Sequence, residues 1–225
     1  MRIFFKLLKW DLLLLVKYGI LPVAMGIGAL YIALIYLFSV PTKLVVFLIF
    51  SDPSMMGFVF IGVMVLFEKQ AGTTSVLAIT PLQPWQYLLS KSVSLTVPAL
   101  LVSVVMAIAA RSSVNYFLLF LGVLLTSVLF LLIGFVGALR VKTFNQYILI
   151  IPMFLAPLCI PLVDYFGLWK TPLMWVIPSQ SSLTLLNAAF SEVELWKTIL
   201  SVLILSISIF LVHKWAEREY RKRMI

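Results

Sequence analysis

The sequence predicts an all-α integral membrane protein: six transmembrane helices, an N-terminal interfacial amphipathic helix, and short broken outer helices between spans 5 and 6. Three observations predict it. First, 63% of the 225 residues are hydrophobic and 11% are charged, against roughly 45–50% and about 25% in a soluble domain. A soluble fold cannot hide that much apolar surface, so the solvent is a bilayer, in which helices satisfy their own backbone groups. Second, apolar runs recur at 19–38, 44–67, 92–110, 114–138, 146–168 and 195–213. Third, with the N-terminus inside, 13 of the 17 basic residues fall in inner segments, and Lys43, Arg111, Lys170 and Lys197 fall outside. That bias predicts a multi-pass protein of the cell (plasma) membrane with both termini cytoplasmic. The net charge of +9 is thus a topology signal; nucleic-acid binding would need a soluble basic surface of useful size. The whole chain, 1–225, is expected to form one transmembrane domain.

Residues 1–18 form the first element. At 100° per residue, Arg2, Lys6, Lys9 and Lys17 share one arc of about 80°, and most of the rest is apolar. This predicts a helix in the inner headgroup layer, its basic stripe toward anionic lipid. Asp11 falls near the opposite side. It is either a locally hydrated carboxylate or the partner of a basic group on another segment or subunit. Charges at Arg2, Lys6, Lys9, Asp11 and Lys17, with no A-x-A site after the first long apolar run, argue against a cleavable signal peptide. Gly19 and Pro22 then break the interfacial helix. Span 1 carries Gly26 and Gly28, small residues that allow close helix approach in lipid.

Span 2 is interrupted by Ser51-Asp52-Pro53-Ser54. Asp-Pro is a helix-start signature, and a helix from Pro53 to Glu68 would rise about 24 Å. Asp52 is therefore a helix cap or, alternatively, an intramembrane carboxylate that meets substrate or protons. Phe58, Phe60 and Met64 on this helix are candidates for the wall of a substrate pathway; packing is the plainer reading of such side chains. Span 3 holds Pro98, a kink candidate. Span 4 ends at Arg140 and Lys142, and its Gly134 and Gly137 again suit close packing. Span 5 contains Pro152, Pro157 and Pro161, which speak against a straight helix. Residues 164–194 are too apolar for a solvated loop and too broken by Pro172 and Pro178 for a span. They are expected to be short helices dipping into the outer leaflet, anchored by Tyr165, Trp169 and Trp175. After span 6, Glu217 with Arg221 and Glu219 with Arg223 are i,i+4 pairs, so the tail should continue the helix. His213 fits an interfacial position better than a ligand's.

The chemistry of an enzyme is hard to find. There is no G-x-x-x-x-G-K-[ST] and no Gly-Lys dipeptide, so no P-loop for ATP hydrolysis. A lone histidine and a lone cysteine, His213 and Cys159, offer no His- or Cys-based metal set and no disulfide within the chain. The eight acidic residues are scattered. The chain is expected not to be an enzyme and to need no cofactor of its own.

The longest amphipathic interruption is Glu68–Lys91, E-K-Q-A-G-T-T-S-V-L-A-I-T-P-L-Q-P-W-Q-Y-L-L-S-K. Glu68 and Lys69 mark the membrane exit, Gly72 permits a turn, and Thr73 or Thr74 can cap a helix through Leu77. Thr80-Pro81 stops it, and Pro84 starts a second short piece, with a hinge at Pro81–Pro84. By the charge bias, 69–91 is cytosolic. It is either a plain membrane-lying connector or a rigid knob shaped for another protein's groove.

This stretch resembles the E-(K/R)-x-x-G-T-x-x-x-L-x-x-T-P-L…Y-L-x-x-K signature of ABC-2 type exporter permeases, matching at Glu68, Gly72, Thr73, Leu77, Thr80, Pro81, Tyr87 and Lys91. Upstream, I-F-S-D-P-S-M-M-G-F-V-F-I-G at 49–62 is similar to the fluoroquinolone-export-type permeases of that family. Ala71 stands where the family often has an acidic residue, which puts one charge contact in doubt. The resemblance covers nearly the whole chain, and its implications are specific. Two permease subunits, identical or different, would pair around a pathway. Two copies of a separate ABC ATPase subunit would dock inside, carrying the ATP and Mg that this chain lacks. Helix 1–18, with Lys6 and Lys9, Glu68, and the 69–91 region after it, with Gly72, Thr73, Leu77, Thr80 and Pro81, would couple nucleotide-driven closure to spans 1, 2 and 5. Partners would thus be ATPase, second permease and membrane lipid. The cargo would be a hydrophobic or amphipathic compound: a drug, a lipid or a peptide. A non-transport membrane scaffold or immunity-type protein is the alternative reading.

Overall fold

The computed structural model describes residues 2–38, 40–51, 56–73, 83–169 and 171–223. These form helices α1 (Arg2–Lys17), α2 (Ile20–Phe38), α3 (Thr42–Ile49), α4 (Met56–Gln70), α5 (Pro84–Ala109) and α6 (Tyr116–Leu139). They continue with α7 (Phe144–Cys159), α8 (Pro161–Tyr165), a 3-10 turn at Pro172–Val176, α9 (Pro178–Ala188) and α10 (Leu195–Arg223). No strand occurs among the described residues. Four helices, α2, α5, α6 and α10, are long and apolar enough to cross a membrane. Predicted span 2 is divided between α3 and α4, on either side of 52–55, which lie outside the described residues, Asp52 among them. Predicted span 5 is the 16-residue α7 followed by α8.

Helix α6 is the axis. Residues 129–139 are buried without a break, as expected of a helix that is apolar all round. It packs against α4, α5, α7, α9 and α10. Glycine allows the closest approach: a Cβ at Gly134 would stand 2.6 Å from the Phe58 carbonyl oxygen. On α4, a Cβ at Gly62 would stand 2.0 Å from the Tyr147 ring. Tyr147 donates its hydroxyl to Phe58 O at 2.5 Å, so α4, α6 and α7 are joined where no side chain intervenes. Gly28 meets Val102 of α5 in the same way, whereas Gly26 faces open space. The close-packing expectation therefore applies to one of that pair.

Several expectations are corrected. Pro84 does not begin a separate short piece: it occupies the first turn of a 26-residue α5, which also runs through Pro98. Gln83 and Gln86 form a capping box there, and proline suits that turn because its missing N–H has no helical partner to lose. Helix α7 continues through Pro152 and Pro157, and the break comes at Ile160, before Pro161. The tail does continue α10, and Glu219 meets Arg223 at 2.8 Å. Glu217 instead lies 3.6 Å from both His213 and Lys214.

The two ends of the bundle are distinct. At one, Asn115 caps α6 and donates its N–H to Ala189 O at 2.8 Å, Arg111 lies over the Tyr36 ring, and Tyr165 donates to Lys43 O. At the other, α4, α6 and α10 end together. Lys69 donates to the carbonyls of Ala138, Leu139 and Val141 at 3.0–3.1 Å. Arg140 pairs with Glu219 at 2.8 Å. Lysine on free C-terminal carbonyls complements the negative end of the helix dipole.

Candidate functional site

The second end also holds a buried charge network. Lys91 of α5 has 1% of its surface exposed, as does Asp11 of α1, and Glu68 of α4 has 4%. The Lys91 ammonium donates to Asp11 Oδ1 at 2.6 Å and to Glu68 Oε1. Ser90 donates to Asp11 Oδ2 at 2.5 Å, and Tyr87 to Glu68 Oε2 at 2.5 Å. All four carboxylate oxygens therefore receive a donor. The ammonium also lies 5.1 Å from the centre of the Tyr87 ring. Tyr87 packs on Phe135 of α6 and Tyr220 of α10, so aromatic contacts carry the network to two more helices.

Local spacing builds this site. Tyr87, Ser90, Lys91 and Ser94 stand at i, i+3, i+4 and i+7, one face of α5, and all four are buried. On α1, Asp11 and Leu15 are one turn apart and are the side chains turned into the bundle, while Lys6, Lys9 and Lys17 are exposed. Asp11 is thus the partner of a basic group on another segment, the second of its two readings. Neighbouring residues Glu68 and Lys69 point about 100° apart: Glu68 toward α1 and α5, Lys69 toward the end of α6.

A buried ion pair earns little net stability, but removing one partner strands a charge and costs about 3–5 kcal/mol. The network therefore acts as a rigid tie. It joins α1 to α4 and α5, the two helices that flank 71–83 in the chain.

The other predicted residues distribute as follows. Gly72 has φ +66°, the left-handed turn anticipated for it, and is exposed with Thr73. Leu77, Thr80 and Pro81 lie outside the described residues. Lys6 and Lys9 are exposed on α1, away from the ion network. Phe58 and Met64 are fully buried, Phe58 stacked on Tyr147. Of the predicted pathway side chains among the described residues, Phe60 lines an opening, an apolar crevice with Leu15, Ile20, Gly57, Leu95 and Pro98; Asp52 lies outside the described residues. Sequence reasoning did not find Ser90 and Tyr220; the polar stripe on an otherwise apolar α5 was the available signal for Ser90.

A model of the fluoroquinolones export permease protein family matches residues 2–225. The chain belongs to that family. Two curated members, fluoroquinolones export permease proteins of Mycobacterium tuberculosis strains CDC 1551 / Oshkosh and ATCC 25618 / H37Rv, are each 36% identical over 196 residues, 84% of this chain and 81% of theirs. No solved structure matches it. This family member is a membrane protein, as its long apolar helices also indicate.

Proposed function

We propose that the chain is the permease subunit of an ABC exporter of the ABC-2 type, moving a hydrophobic or amphipathic compound outward. Its energy comes from ATP hydrolysed, with Mg, by two copies of a separate ATPase subunit. A second permease subunit completes the pathway, six spans cross the cell membrane, and both termini are cytoplasmic. The observation that carries this reading is the buried Asp11–Glu68–Lys91 tie. It couples the interfacial helix to both helices bracketing the segment that resembles the ABC-2 signature. A mere anchor would need no such tie, since an amphipathic connector holds to a membrane by itself.

In this reading Gly72, Thr73, Leu77, Thr80 and Pro81 meet the ATPase, and Glu68 passes the movement on from inside. Cargo passes between subunits, with Phe60, on the apolar crevice, nearest the route among the described candidates. Fluoroquinolones, named for the relatives, are the first cargo to try.

The test is co-purification of the tagged permease with its ATPase, followed by ATP-driven fluoroquinolone accumulation in inside-out vesicles. The expected result is a retained ATPase and ATP-dependent uptake. Absence of both would sink the export reading in favour of a scaffold.

A further inference from the structure

Beside the ion network, the ends of α4, α6 and α10 enclose a second feature. A cavity of about 500 Å³ is lined by Lys69, Gln70, Arg140, Lys142 and Arg223, with Leu139 and Val141 behind them. Four cations face it, and Glu219 is the carboxylate that the described residues bring to them. Glu219 takes one hydrogen bond from Arg140 Nη2 and one from Arg223 Nε, both at 2.8 Å. The Lys142 ammonium, Nη1 of Arg140 and the terminal nitrogens of Arg223 have no acceptor among the described residues. Lys69, past the last apolar residue of α4, is lowered to about 8 by burial and then by Arg223. The cavity thus has more positive charge than the described residues compensate.

Its surroundings indicate what would compensate it. Arg140 lies 5.1 Å from the centre of the Trp215 ring. One turn back along α10, Phe210 and Leu211 are 60% and 62% exposed. An indole beside an arginine, with bare aliphatic and aromatic surface leading away, is the arrangement of a headgroup layer meeting an acyl layer. Guanidinium groups with free N–H donors match phosphate oxygens in pairs.

We infer that this cavity binds the phosphate of an anionic membrane lipid, its acyl chains lying along the exposed face of α10. Bound there, the lipid joins the inner ends of three helices and neutralises their mutual repulsion.

The experiment uses the full chain in mild detergent, with phosphatidylglycerol or phosphatidylcholine added and retention read by native mass spectrometry. Phosphatidylglycerol should be retained in preference to phosphatidylcholine. Lys142→Gln, an exposed side chain without a partner among the described residues, should weaken retention about fivefold, and the double variant with Arg223→Gln about 30-fold. Lys197→Gln, at the opposite end, should change nothing. Equal retention by K142Q and the unaltered protein overturns the proposal. So does complete displacement by millimolar inorganic phosphate, which would mark a free-anion site. Unchanged lipid retention with loss of the co-purifying ATPase would make the cavity a protein contact instead. Because the readout is lipid retention, failure here leaves the export reading intact.

Discussion

At the residue scale, the decisive group is Lys91, a buried ammonium shared by two carboxylates. Lys91→Met should lower stability by about 3–5 kcal/mol, because Asp11 and Glu68 keep their charges without a partner. Thermal unfolding of the nanodisc-embedded protein measures it. Replacing all three together by Leu, Met and Leu should restore most of that stability, since no charge is then stranded. If the tie transmits movement, the triple variant stays folded yet loses ATP-driven transport; full transport by a stable triple variant would refute that role. Glycines supply a second contrast. Gly62→Ala would push a methyl into the Tyr147 ring and should cost about 1–3 kcal/mol or more, the range for overpacking. Gly26→Ala meets nothing within 4 Å and should be neutral or slightly stabilising, since alanine favours a helix by about 1 kcal/mol.

At the element scale, α5 carries the consequence. It is one continuous helix from Pro84 to Ala109, with Pro98 inside it, so under the proposed function a displacement of its N-terminal turn is passed into the bundle along α5. Helix α1 is held to it by Asp11 and Ser90. Under the proposed function, Leu77→Asp should abolish ATPase co-purification while the permease still inserts and melts normally. Failed insertion in that variant would show that Leu77 supports the fold rather than docking. The α5 tie was half legible. Glu68, Tyr87 and Lys91 stood out in the motif, and Asp11 stood out as the acid opposite a basic stripe. That they converge was not legible, because helical periodicity gives the face on which a residue lies but not the neighbour that face meets.

At the scale of the whole molecule, the topology is open to a direct check. The one cysteine, Cys159, is replaced by serine, and single cysteines are then introduced along the chain. Impermeant maleimide added to intact cells should label Lys43→Cys, Arg111→Cys and Glu192→Cys. Gln83→Cys, Lys142→Cys and Arg218→Cys should react only after permeabilisation. Lys43 against Gln83 tests whether α4 crosses, and Lys142 against Glu192 tests α7, the two spans shorter than the four long apolar helices. Labelling of Gln83→Cys from outside would remove span 2 and with it the inner placement of 69–91.

The sequence by itself determined the solvent, the helical class, the sidedness expected from basic residues and the family signature, because each follows from composition or short-range spacing. Hydropathy gave six apolar runs, of which the structure makes four into single helices long and apolar enough to cross a membrane. Tertiary structure alone decided which charges are compensated. Glu68 and Lys69 are adjacent in the chain, yet one is sealed against Asp11 and Lys91 while the other caps α6 beside a basic cavity. The physical reason is that a charge's environment depends on the groups that packing brings within a few ångströms, and in a low-dielectric interior those distances set the energy.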